Sequence, residues 1–322
     1  MPKETEKRDA PEINILLAGP RGFCAGVVRA IEVVEAALAR NGGQPIYVRH
    51  EIVHNRHVVE RLEAMGAVFV DEVADVPDGA IVIFSAHGVA KAVVNEAGSR
   101  ALVALDATCP LVSKVHQEAW NHHRQGRHVL LIGHAGHPEV VGTMGQVPTG
   151  AIALVQDLDD AERVTVPDPE NLAYTTQTTL SINDTAAIIE VLERRFPAII
   201  GPNKADICYA TTNRQEAVRA IAARADAVIV VGASNSSNSN RLVEEAQASG
   251  CANAFLIESA RDLDWRLLEG VRTLGITAGA SAPEILVEEL VDALSRRFKT
   301  SVEEVTVKEE DVTFAIPKVL VG

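Results

Sequence analysis

Aromatic side chains make up only 4% of the 322 residues, and cysteine supplies just four of them. So few cysteines in a chain this long form no disulfide framework, so they read as core, catalytic or metal-binding groups in a reducing compartment. The shortage of aromatics leaves Ala, Val, Ile and Leu to fill the interior, a balance that suits parallel strands covered by helices on both faces. Basic residues are also scarce: 30 Lys and Arg stand against 44 Asp and Glu, a net charge of −14. Such a surface argues against a nucleic-acid or anionic-membrane binder. It still permits a small anionic substrate held by helix N-termini and neutral donors.

Long apolar runs are missing as well. Stretches such as "AVIVVGA" are strand-length, so no membrane span is expected. The opening "MPKETEKRDAPE" lacks the apolar centre of a secretory signal and is too acidic for a transit peptide, which predicts a cytoplasmic protein. Two phosphate-binding signatures are absent too. No G-x-x-x-x-G-K-[ST] occurs, and no strand leads into G-x-G-x-x-G, so neither a P-loop nor a Rossmann dinucleotide site is expected.

What the chain does contain is a repeated strand–loop–helix pattern. Apolar strands leave into small polar loops at "LLAGPRGFC", "IVIFSAHGV", "VLLIGHAGHPE", "AYTTQTTLS", "AVIVVGASNSSNS" and "TLGITAGASAP". Helical spacing follows, as at Val27, Ile31, Val34 and Leu38, with "NGG" closing that helix. Ser181, Thr212 and Ser281 each precede an acidic or amide residue by three positions, a capping-box pattern. Strands alternating with helices predict an α/β fold with parallel sheets, whose ligands bind beyond the carboxyl ends of the strands.

Cys24, Cys109 and Cys208 lie 85 and 99 residues apart, each close to a helix start. This spacing predicts three similar α/β domains, at 13–109, 110–207 and 208–300, with a flexible tail at 1–12 and a C-terminal extension at 301–322. A helix N-terminus favours thiolate, and Gly22 and Gly26 leave room beside Cys24 for a bulky group. Zinc normally takes four ligands, often in local C-x-x-C pairs, and none exists here. An iron–sulfur cluster also usually takes four cysteines, so three would leave one iron open. Simple packing of small apolar thiols is the third possibility, and spacing alone leaves all three open. Cys251, between Gly250 and a strand, reads as core.

All ten histidines fall between His50 and His137. His50, His57, His116, His122, His123 and His128 read as structural or surface residues, whereas His54, His87 and His137 occupy strand-exit loops. The third unit offers "NSSNSN" at 235–240 instead. Neutral donors of this kind can build a phosphate site without Lys or Arg. Glu139, two residues after His137, is a candidate proton donor in a dry pocket, with an exposed helix-start glutamate as the alternative, and Thr178 is a lone candidate to orient it or relay a proton.

Nine motifs in order, "RGFCAGV", "RHEIVHN", "FSAHGV", "DATCPLV", "GHAGHPEV", "TQTTLS", "CYATTNRQEAV", "NSSNSNRL" and "TAGASAP", resemble the IspH/LytB family of hydroxymethylbutenyl diphosphate reductases. Val28 departs from some members, which carry aspartate there. The resemblance implies three α/β domains around a central [4Fe–4S] cluster, one per chain, held by Cys24, Cys109 and Cys208. It implies reductive removal of the allylic hydroxyl, bound at the open iron, to give isopentenyl and dimethylallyl diphosphate, the last step of the non-mevalonate route. Glu139 would then be the proton donor, assisted by Thr178. His54, His87, His137, Ser236, Ser237, Asn238 and Ser281 would bind the substrate. Flavodoxin or ferredoxin would supply electrons, and neither nucleic acid nor membrane would be a partner. A zinc-dependent hydrolase and a non-enzymatic phosphometabolite-binding protein are the competing readings.

Overall fold

The computed structural model describes residues 11–321; residues 1–10 of the expected tail lie outside the described residues. The chain runs β1 (Glu12–Gly19), α1 (Ala25–Arg40), β2 (Ile46–Arg49), α2 (Arg56–Ala64), β3 (Ala67–Val70), β4 (Ile81–Phe84), α3 (Lys91–Ser99) and β5 (Val103–Asp106). It continues through α4 (Pro110–Arg124), β6 (His128–Ile132), α5 (Pro138–Met144), β7 (Ile152–Val155), α6 (Leu158–Arg163), β8 (Leu172–Thr176) and α7 (Ile182–Arg195). The last third holds α8 (Tyr209–Ala222), β9 (Ala227–Val231), α9 (Ser237–Ala248), β10 (Ala254–Ile257), β11 (Thr273–Ala278), α10 (Glu284–Arg297) and β12 (Lys299–Thr306).

Three sheets result, ordered β3-β2-β4-β5, β7-β6-β8 and β10-β9-β11-β1-β12, and all their pairings are parallel. They share one plan. In the second sheet a single bridge between Ala173 and Ile200 takes the place that β5 fills in the first. In the third, β1 fills it. The first strand, expected in the domain over 13–109, is therefore the fourth strand of the last sheet. Its N–H and C=O groups pair with β11 on one side and β12 on the other. Residues 11–24 and 209–312 accordingly form one compact unit, and residues 25–208 and 313–321 the other, which contains two sheets.

Strand alternation fills both faces of the five-stranded sheet, because successive side chains point to opposite sides. Ile13, Ile15, Ile229 and Val231 pack under Leu286, Leu290 and Leu294 of α10. Leu16, Ala18, Val228 and Val230 pack under Val218 and Ile221 of α8 and Leu242 of α9. Cys251 lies in that second layer, 3% exposed, and burial pushes its thiol up. Its reading as core is correct.

The helix starts are partly as expected. The Ser181 hydroxyl accepts from the Asp184 N–H at 3.2 Å and caps α7. The other two caps differ. Helix α8 begins at Tyr209, immediately after Cys208, so Thr212 is already inside it, and α10 begins only at Glu284, so Ser281 stays in the loop. Among the described residues, no helix is long and apolar enough to cross a membrane.

Candidate active site

The three spaced cysteines occupy one equivalent position in the three sheets. Each backbone N–H donates to the carbonyl of the residue two past a strand end: Cys109 to Ala86 after β4 (3.0 Å), Cys208 to Thr178 after β8 (3.0 Å) and Cys24 to Ala280 after β11 (3.2 Å). Each then leads directly into a helix, α4, α8 or α1, and Cys109 is followed by Pro110 at the first helical position. All three thiols are half-buried and free of disulfides. The neighbouring loop of each sheet repeats too. Five residues past the ends of β2, β6 and β9 stand His54, His137 and Ser236.

In the larger unit three imidazoles meet. The rings of His54 and His87 are 4.1 Å apart, and that of His137 lies 5.6 Å from the first and 5.9 Å from the second. Burial, and then the neighbouring His54 and His137, hold His87 well below the usual imidazole range. Burial, then His54 and His134, push His137 down to about 3. His137 Nδ1 accepts from the Glu139 N–H at 3.2 Å, which leaves the proton on Nε2. His87 and His137 are therefore neutral at pH 7.

Glu139, the second residue of α5, is 2% exposed. Its Oε1 accepts the Thr178 N–H at 2.7 Å and its Oε2 accepts the Thr178 hydroxyl at 2.9 Å. Burial pushes the carboxyl up to about 7; the two Thr178 bonds oppose this and the charge of Asp206 adds to it. At neutral pH the group is poised between acid and carboxylate, as a general acid requires.

In the other unit Ser236 caps α9, accepting from the Ser239 N–H at 3.3 Å. Ser237 follows as the first helical residue. Asn238 is 4% exposed, yet neither its Oδ1 nor its Nδ2 has a hydrogen-bond partner. A buried amide left unpaired costs stability unless a ligand or water completes it. Ser281, 8% exposed, lies in the loop after β11. A Cβ on Gly232 or Gly279 would meet Ser239 Oγ at 2.2 or 2.1 Å, so both strand exits need glycine to admit α9 so closely.

These placements divide the expected site. His54, His87, His137, Glu139, Thr178, Cys109 and Cys208 belong to the larger unit; Cys24, Ser236, Ser237, Asn238 and Ser281 belong to the smaller. Among the described residues no three His, Cys, Asp or Glu side chains are grouped as a metal site.

A sequence profile described as "LytB protein" matches residues 15–295. The chain belongs to the LytB family. Relatives are close along its whole length. A 4-hydroxy-3-methylbut-2-enyl diphosphate reductase from Methylocella silvestris is 60% identical, with 96% of this chain and 97% of that protein aligned. One of the same name from Gluconobacter oxydans is 59% identical over 100% of this chain and 97% of its own. The solved structure of the E-1-hydroxy-2-methyl-but-2-enyl-4-diphosphate reductase from Plasmodium falciparum superposes with a TM-score of 0.90 at 38% identity, covering 97% of both chains.

The donor set fits the iron–sulfur cluster this family uses. Three half-buried cysteines outside any disulfide occupy matching helix starts, where thiolate is favoured, and the fourth cysteine is sealed in the core. Sequence reasoning passed over two buried groups, Asp206 and Arg214, and read a third, His116, as structural. Asp206 is fully buried and binds Lys114 at 2.8 Å; His116 carries an unpartnered Nε2 beneath Gly88 and Gly142; Arg214 is completely buried. In sequence each looks like an ordinary helix or loop polar residue, so no local signal marks it.

Proposed function

We infer that this chain reduces 4-hydroxy-3-methylbut-2-enyl diphosphate to isopentenyl and dimethylallyl diphosphate, the last step of the non-mevalonate route. The single observation that carries the reading is the buried Glu139–Thr178 pair, a carboxyl raised to about 7 in a family whose relatives are named for this reaction. The allylic C–O bond breaks, two electrons and two protons enter, and water leaves.

Cys24, Cys109 and Cys208 would hold one [4Fe–4S] cluster per chain, since the remaining cysteine, Cys251, is sealed in the core. Bound there, the cluster would supply the electrons and Lewis-acid assistance to departure of the hydroxyl. Glu139 donates the proton that turns the leaving hydroxyl into water, and Thr178 fixes the direction of its lone pairs. His54, His87 and His137 line the substrate pocket; of these, neutral His137 offers its Nε2–H as a donor that carries no competing charge. Ser236, Ser237, Asn238 and Ser281 bind the diphosphate, and the unpaired amide of Asn238 supports this. Neutral donors and a helix start suit an anion in an acidic protein. Electrons come from a flavodoxin- or ferredoxin-type donor in the cytoplasm.

Anaerobic purification with assays of iron, acid-labile sulfide and zinc tests the reading. About four irons and four sulfides per chain, a brown spectrum and turnover of the allylic diphosphate are expected. Zinc, or no metal after anaerobic reconstitution, would overturn it.

A further inference from the structure

Arg214, in the second turn of α8, is 0% exposed and is the largest completely buried side chain among the described residues. Its hydrogen bonds converge on the loop that carries Cys24. Nε and Nη2 donate to the Gly22 carbonyl at 3.0 and 2.8 Å, and Nη2 also reaches the Phe23 carbonyl at 3.3 Å. Nη1 donates to the Ala210 carbonyl at 3.0 Å. The opposite side of the same loop is fixed by its N–H groups, Gly22 to the Ala278 carbonyl at 3.1 Å and Cys24 to the Ala280 carbonyl at 3.2 Å. Gly22 needs its φ of +66°, and a Cβ there would meet the Ala282 carbonyl oxygen at 3.1 Å.

The charge on Arg214 is matched by Glu310, from the segment beyond β12. Glu310 Oε1 accepts from Arg214 Nη1 at 3.0 Å and from Asn213 Nδ2 at 2.9 Å, and its Oε2 lies 3.3 Å from both Nη1 and Nη2. A buried guanidinium without its counter-charge is strongly unfavourable and would relax toward water.

We propose that Arg214 and Glu310 form a latch that fixes the position of the Cys24 thiol, making the C-terminal segment a working part of the metal-binding loop. This rests on the reading of Cys24 as a cluster ligand. Arg214 is a positioning residue that acts through the carbonyls of Gly22 and Phe23. Lysine cannot replace it, because one ammonium cannot grip the Gly22 oxygen from two sides while pairing with Glu310.

The test uses the full chain carrying R214K, E310Q or E310A. In the metal-free reduced protein, alkylation by iodoacetamide is followed cysteine by cysteine with mass spectrometry. Losing a charged hydrogen bond should speed reaction at Cys24 about tenfold or more, with Cys109 and Cys208 unchanged. Cys251 lies in the core of the same compact unit and reports any general loosening. In the anaerobically reconstituted protein, the variants should also lose their visible absorption to an iron chelator about tenfold faster. Equal acceleration at Cys24 and Cys251, or none at Cys24, would overturn the latch. If R214K does not fold, the two Glu310 variants decide by the same readout. A wild-type chain that assembles no cluster would sink the proposed function instead, while the alkylation pattern still judges the latch.

Discussion

Glu139 shows how a single buried carboxyl becomes useful through two opposing influences. Burial raises it, and the two bonds from Thr178 lower it. The balance places it near the working pH, where protonated acid and ready transfer coexist. Glu139→Gln keeps an acceptor for the Thr178 N–H but has no proton to give, so kcat should fall about 10²–10⁴-fold with little change in KM, measured by anaerobic turnover. In the wild type, kcat should decline as pH rises through about 7, because the acid form is consumed. Thr178→Val removes only the hydroxyl bond. That bond favours the carboxylate, so its loss should move the declining limb to higher pH; a shift to lower pH would contradict the assignment. The residue types at these positions are legible in the sequence. Their pairing is not, because Glu139 and Thr178 stand 39 positions apart and meet at 2.9 Å only when β6 and β8 lie side by side.

Strand exits and the helices after them form the repeating element of this protein, and two glycines decide how closely they approach. Gly232 and Gly279 directly follow the adjacent strands β9 and β11, and both would clash with Ser239 of α9 if they bore a Cβ. Gly279→Ala should cost about 1–3 kcal/mol in urea unfolding. It should also raise KM for the diphosphate, because α9 carries Asn238 and Ser237. An unchanged KM would separate this packing from the substrate site. Strand positions and most helix positions follow from hydrophobic period. The start of α8 does not: the helix opens at Tyr209, directly after Cys208, and so already contains Thr212, where the cap was expected.

For the molecule as a whole, the buried carboxyl proposed as proton donor carries a stability cost that depends on pH. The Glu139 carboxyl is about 7 when folded, against an ordinary value of 4.5. Below about 4.5 both states are protonated and the cost vanishes; it grows as pH rises and is complete above about 7, at up to roughly 3 kcal/mol. Glu139→Gln has no such penalty. Its melting temperature relative to wild type, measured on metal-free protein, should therefore rise between about pH 4.5 and 7 and level off above that. A difference that stays flat over that range would show that the carboxyl is not held in its raised state.

Composition and hydrophobic period by themselves determined an α/β chain with parallel sheets, the equivalence of Cys24, Cys109 and Cys208, and the core place of Cys251. These are properties of local pattern, since a strand buried on both faces and a helix start each write their signature within a few residues. The tertiary structure alone decided that β1 completes the last sheet beside β11 and β12, that Thr178 meets Glu139, and that Glu310 neutralises Arg214 behind the Cys24 loop. Each of these joins residues far apart in the chain. The free energy that selects such a partner comes from burial and hydrogen bonding in the folded state, and it leaves no period in the sequence.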